Sequence, residues 1–184
     1  GCYDGWRQTN SAPGVGFYVA SEVMSAECFG GTGIGDGRGY QAIDRFDISQ
    51  SPADLNLYET DWIRYYAGVY RCNELISRED QIGWKETDSK KGEYLGQAHA
   101  IRALLYFDMV RLWGSIPLLT APSSENVPQA EPSEVYAAIV SDLKYAVEKI
   151  PAVDKARLRQ HVEREVSDNY KENFFAARGI HGVD

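Results

Sequence analysis

Chemistry-bearing residues are densest between Phe29 and Ser49, FGGTGIGDGRGYQAIDRFDIS, where six glycines fall between Gly30 and Gly39. Glycine-rich loops cradle phosphates when they read GxGxxG after a strand or GxxxxGK[ST] before a helix. Here Gly33-Ile-Gly35-Asp-Gly37-Arg-Gly39 alternates and no strand leads into it, so a nucleotide site is not indicated. Asp36, Asp44 and Asp47 offer oxygen ligands, but not at the positions of an EF-hand calcium loop. Hydrolytic chemistry finds no GxSxG nucleophile turn. His99 reads as a packed or surface residue of a helix. His161 and Glu165 stand one helical turn apart; without HExxH or a third ligand they read as an ion pair on a solvated face rather than a metal site. Carboxylates are plentiful, yet no pair can be placed across a glycosidic bond from sequence. The three cysteines, Cys2, Cys28 and Cys72, form no CxxC; they exclude a disulfide framework and leave at least one thiol unpaired. No catalysis, metal or cofactor is expected.

These residues sit on a chain of 184 with 19 Lys+Arg against 27 Asp+Glu, a net charge of −8. That balance argues against a nucleic-acid groove, which needs clustered cations. No stretch approaches the roughly 20 apolar residues of a membrane-spanning helix. Tyr, Trp and Phe make up 12% of the chain, and at helical spacing they read first as helix-packing residues.

Apolar periodicity near 3.6 predicts helices over residues 15–28, over Leu55–Arg78 with Asp54 as N-cap, and over Glu93–Trp113. In the last of these Leu95, Ala98, Arg102, Leu105, Met109 and Leu112 share one face. Ala98, Ala100 and Ala103 would let a neighbouring helix come close. Gly114 and Pro117 end it, as a left-handed cap followed by a breaker. A further helix starts at Pro132, with Val135, Ile139, Leu143, Val147 and Ile150 as its expected buried face. An amphipathic run follows through Leu158, Val162, Val166, Tyr170 and Phe174. The glycine stretch reads as a long irregular loop, because that many glycines sustain neither helix nor strand. No strand-like alternation of useful length is present. The fold class is therefore all-α, in helical hairpins of the tetratricopeptide kind, although no second copy at a period of about 34 residues is visible.

Three blocks carry a resemblance. Trp62 through Ile76 (WIRYYAGVYRCNELI) has the form W-x-x-x-Y-x-x-I-x-x-x-N-x-x-I. Ala100 through Leu118 (AIRALLYFDMVRLWGSIPL) matches RA-x-x-YF-x-L-x-R-x-x-G-x-x-P-L. Pro132-Ser-Glu134-Val-Tyr136, followed by Ile139, Asp142-Leu143, Ala146 and Ile150-Pro151, is like S-x-x-E-V-Y-x-x-I-x-x-D-L-x-x-A-x-x-x-L-P. In order and spacing these resemble the SusD/RagB family of glycan-binding outer-membrane lipoproteins. Departures are Ala26-Glu27 where the family often has Asp-Glu, Gln97 where it has Glu, and Lys155–Asp184, which does not resemble the family's continuation. The chain thus reads as an N-terminal-half piece: residues 1–151 as the family's helical domain, 152–184 as an additional helix or atypical tail.

The resemblance implies a non-catalytic protein on the surface of the outer membrane that delivers oligosaccharides to a SusC-like TonB-dependent transporter. Membrane association is then expected through a lipid anchor upstream; Gly1-Cys2 itself has the form of a lipobox end. Sugar binding needs aromatic faces for the ring and polar groups for its hydroxyls. Asp36, Arg38, Tyr40, Asp44 and Arg45, displayed by glycines, are the candidate ligand-binding residues. The competing reading packs Tyr40 under the loop and pairs the charges in water. Arg102 and Tyr106 are expected to hold helices together. The alternative function is a protein-binding helical scaffold with a groove lined by Trp62, Tyr66 and Tyr70.

Overall fold

The computed structural model describes residues 1–9, 16–25, 27–47, 49, 58–85 and 90–151. The architecture is all-α. Six α-helices occur among the described residues: α1 (Cys2–Gln8), α2 (Gly16–Met24), α3 (Arg38–Asp44), α4 (Glu59–Ser77), α5 (Lys90–Trp113) and α6 (Pro132–Lys149). A two-residue antiparallel ladder joins β1 (Ile116–Pro117) to β2 (Gln129–Ala130), with Ile116 opposite Ala130. The segment 152–184 beyond the expected boundary, with the run Leu158–Phe174 and His161 with Glu165, and the Asp54 cap lie outside the described residues.

Side-chain pairs show how the helices run. Tyr65 meets Asp108 and Asn73 meets Arg102, so α4 and α5 are antiparallel. Arg102 meets Asp142 and Phe107 meets Tyr136, so α5 and α6 are antiparallel too. These are consecutive hairpins, as in tetratricopeptide-like stacks. α5 is the central rod: Leu95, Ala98, Ile101, Leu105, Tyr106 and Met109 are buried along it. The expected stripe of this helix holds, with Leu112 half-buried. Gly114 takes φ 71, a left-handed conformation disfavoured for residues with a Cβ, and its N–H returns to Val110 O at 3.0 Å.

Four expectations are corrected. The glycine stretch is not irregular throughout, because α3 forms within it, from Arg38, where the glycines thin out. α1, unforeseen, buries Cys2 and Gly5 against the bundle. The ladder adds a strand pair where none was expected, two residues being too short to alternate visibly. The buried face of α6 is Val135, Ile139, Asp142 and Ala146, while Leu143 is 41% and Val147 82% exposed. The four-residue spacing misleads, since each such step overshoots a full turn by roughly 40° and three steps leave the face altogether. A buried aspartate holds the true stripe.

α6 opens at Pro132, in the first turn, with a capping box in which Glu131 and Glu134 satisfy each other's backbone N–H groups. At the other end of the stack, α1 crosses α4 antiparallel at Gly5 and Gly68. A Cβ on Gly5 would stand 2.8 Å from Gly68 Cα, whereas one on Gly68 would meet the movable Leu105 Cδ1 at 2.9 Å. Gly5→Ala is therefore expected to destabilise the fold by about 1–3 kcal/mol, more than Gly68→Ala, because backbone cannot yield as a side-chain tip does. Urea unfolding of both variants checks the order.

Candidate ligand-binding surface

The glycine loop is folded by its own side chains. Asp36 accepts hydrogen bonds from Thr32 N–H at 3.1 Å and Thr32 Oγ1 at 2.8 Å, and these hold its carboxyl below the usual range. Asp44 accepts from Gly30 N–H at 3.2 Å. Gln41, one turn into α3, donates to the carbonyls of Gly33 (2.6 Å) and Asp36. Arg38 and Arg45, exposed at the two ends of α3, share a cavity of about 250 Å³ with Ile34, Gln41, Ala42 and Asp47. Of the five candidate residues, the structure thus brings the two arginines together. It turns Asp36 and Asp44 to the loop backbone and leaves Tyr40 half-buried, outside that cavity. The two guanidiniums can donate to hydroxyl or carboxylate oxygens.

A second cavity, of about 300 Å³, lies where the alternative reading expects an aromatic groove. Trp62 and Tyr66 of α4 line it, with Leu119, Glu125 and Asn126 of the linker 114–131. The two rings are 4.9 Å apart between centroids, and the opposing loop supplies a carboxylate and an amide. That combination offers a stacking face beside hydroxyl partners. Tyr70, expected in the same groove, is exposed and does not line it. The i, i+4 spacing of Trp62 and Tyr66 was a legible signal. Nothing in the pattern showed that Glu125 and Asn126 would fold over them.

What brings the linker there is a buried polar network. Arg102 Nε and Nη2 donate to the two oxygens of Asp142, both at 2.7 Å, and Nη1 donates to Asn73 Oδ1 (2.6 Å) and Thr120 O (3.0 Å). Asn73 Nδ2 donates in turn to Leu119 O at 2.9 Å and Ala121 O at 3.3 Å. Tyr106 Oη donates to Leu119 O at 2.8 Å and accepts from Leu119 N–H at 2.7 Å; burial pushes its hydroxyl up to about 12, keeping it neutral. Tyr66 Oη donates to Pro117 O at 2.8 Å. His99 Nδ1 lies 2.6 Å from Asp142 Oδ1, so it donates there as a packed residue. Arg102 and Tyr106 hold helices and linker together, as expected. Among the described residues no group of three His, Cys, Asp or Glu side chains could hold a metal ion, and no helix is long and apolar enough to cross a membrane.

Asn73, Arg102, Tyr106 and Asp142 each belong to one of the three sequence blocks. Residues 40–165 match a family model described as SusD-like, starch-binding associating with outer membrane. The chain belongs to the SusD-like family. It is 32% identical over 97 residues to SusD-like protein P38 of Formosa agariphila, covering 50% of this chain and 18% of that protein. The chain spans about a fifth of the length of the curated relatives it matches. Among solved structures, a laminarin-binding SusD-like protein is 27% identical with a TM-score of 0.65, over 84% of this chain and 35% of that one. A SusD superfamily protein from Bacteroides vulgatus shares the fold at 16% identity, with a TM-score of 0.66 over 84% of this chain and 35% of that one. The family match starts at Tyr40, so Asp36 and Arg38 precede it.

Burial alone raises the Asp142 carboxyl, but the bonds and charges of Arg102 and His99 outweigh it and hold the group below its usual range. Its contribution to stability is then complete above the ordinary carboxylate value near 4 and is lost as pH falls through the lower folded value. Asp142→Asn is expected to lower stability at neutral pH and flatten the acid limb of a plot of urea midpoint against pH. Flattening is partial, because Asp4, held at about 2 by Arg7 and Arg71, titrates in the same direction. Arg102→Met, which leaves Asp142 buried without its partner, is expected to cost about 3–5 kcal/mol.

Proposed function

We propose that this chain is part of a non-catalytic, cell-surface protein that binds oligosaccharides. It hands them to a SusC-like TonB-dependent transporter, and a lipid anchor upstream holds it to the outer membrane. The observation that carries the reading is the likeness to a laminarin-binding SusD-like protein over most of the chain. The helical hairpins are the platform, and recognition is delegated to what they display.

The binding residues are proposed in the glycine loop, where Arg38 and Arg45 flank an open cavity and Tyr40 stands beside it in α3. Asp36 and Asp44 act by shaping the loop, since their carboxylates are engaged by Thr32 and Gly30. The cavity at Trp62 and Tyr66 competes for the same role, and its aromatic faces favour it. Titration with a glycan panel that includes laminarin oligosaccharides separates the two. Arg38→Ala with Tyr40→Ala is expected to weaken binding at least about tenfold, the loss of one or two hydrogen bonds and a stacking face, with helical circular dichroism unchanged. Unchanged affinity in that variant, with loss in Asn126→Ala, moves the site to the linker cavity. Intact glycan recovered after incubation is the expected result for a binding protein, and recovery of a TonB-dependent transporter with the tagged protein from outer membranes checks the partner.

A protein-binding scaffold without sugar affinity is the second reading. The uncovered apolar stripe Tyr136, Val140, Leu143 and Val147 along α6 favours it. It predicts no affinity anywhere in the panel.

A further inference from the structure

The α1–α4 crossing places two thiols together. Cys2 lies one turn before Gly5 in α1, and Cys72 one turn after Gly68 in α4; the helices are antiparallel, so the two turns face each other. Close approach at the glycine pair removes the separation that larger side chains would impose. Cys2 Sγ lies 3.6 Å from the carbonyl of Arg71, the neighbour of Cys72, and both side chains belong to one buried cluster, Cys2 at 9% and Cys72 at 0% exposure. Cys28, the third cysteine, is exposed.

We propose that Cys2 and Cys72 are a disulfide-forming pair, oxidised by thiol–disulfide exchange with a disulfide admitted at Cys2. Access is one-sided. Cys2 lines a cavity of about 210 Å³ with Tyr3, Leu75, Trp84, Tyr94 and Gln97, and Cys72 does not. Reactivity runs the same way. The neighbouring Cys72 thiol lowers the Cys2 thiol against the opposing effect of burial, while Cys2 and burial push Cys72 up. Cys2 thiolate attacks one sulfur of the incoming disulfide, forms a mixed disulfide and expels one thiolate. Cys72 then attacks Cys2 Sγ, gives its proton to solvent or to the departing group, and expels the second. Two protein thiols lose two electrons and two protons, and the oxidant leaves as two thiols. The product closes a loop of about 70 residues and fixes α1 to the bundle.

The test uses the whole chain carrying Cys28→Ser, folded and exposed to glutathione disulfide. After blocking with N-ethylmaleimide and digestion with trypsin, the expected product is the peptide that carries Cys2 and ends at Arg7 linked to Cys72–Arg78, with both free thiols lost and no glutathione retained. The thermal midpoint is expected to rise, and dithiothreitol to reverse the rise. With Cys72→Ala added, the reaction is expected to stop at a glutathione adduct on Cys2. The proposal is overturned by a persistent adduct on Cys2 when Cys72 is present, by linkage between two chains, by two unreacted thiols, or by a linked peptide that forms only in urea.

Discussion

A guanidinium in the middle of a helical stack is the constraint around which this protein is organised. Arg102 is 6% exposed, and so is Asp142. Removing both charges from water is costly, and a hydrophobic replacement of the whole group could be as stable. What the ion pair supplies is position. Its bidentate geometry sets the height of α6 against α5, its bond to Asn73 does the same for α4, and its bond to Thr120 O draws the linker across the top. An apolar contact would tolerate sliding by a fraction of a turn; a fork of paired hydrogen bonds does not.

The linker in turn explains why an irregular segment can lie against the core. Its carbonyls at Leu119, Thr120 and Ala121 find side-chain donors on α4 and α5 in place of strand partners. Backbone polar groups packed without such partners would be unfavourable. Much of the aromatic content serves the same packing rather than display. Trp113 receives Tyr58, Trp62 and Tyr65 edge-on at 6.4, 5.1 and 5.7 Å. Trp62, of that cluster, also borders the cavity with Glu125 and Asn126, beside Tyr66.

The sequence was most legible where one physical rule acted by itself. The stripe of α5, the cap at Gly114 and the proline start of α6 follow from periodicity and backbone sterics, and the structure has all three. Legibility failed where a polar group took an apolar place. Asp142 holds the α6 core face because Arg102 is opposite, which only the tertiary pairing reveals, and Val147 was assigned inward in its stead. Nor does the pattern show how the glycine loop folds on itself, with Asp36 accepting from Thr32 and Asp44 from Gly30. α1 is too short for a period to show, and its place depends on two glycines more than 60 positions apart. The cavity at Trp62 depends on a linker held by side-chain donors from two helices, which no pattern announces.

Tyr106 carries a consequence that reaches past packing. Its single oxygen both gives a proton to Leu119 O and receives one from Leu119 N–H, standing in for an absent neighbouring strand. Phenylalanine would match the ring in volume and shape, yet it would strand the Leu119 amide and leave its carbonyl to Asn73 alone. At this position valence, rather than size, decides which aromatic ring serves.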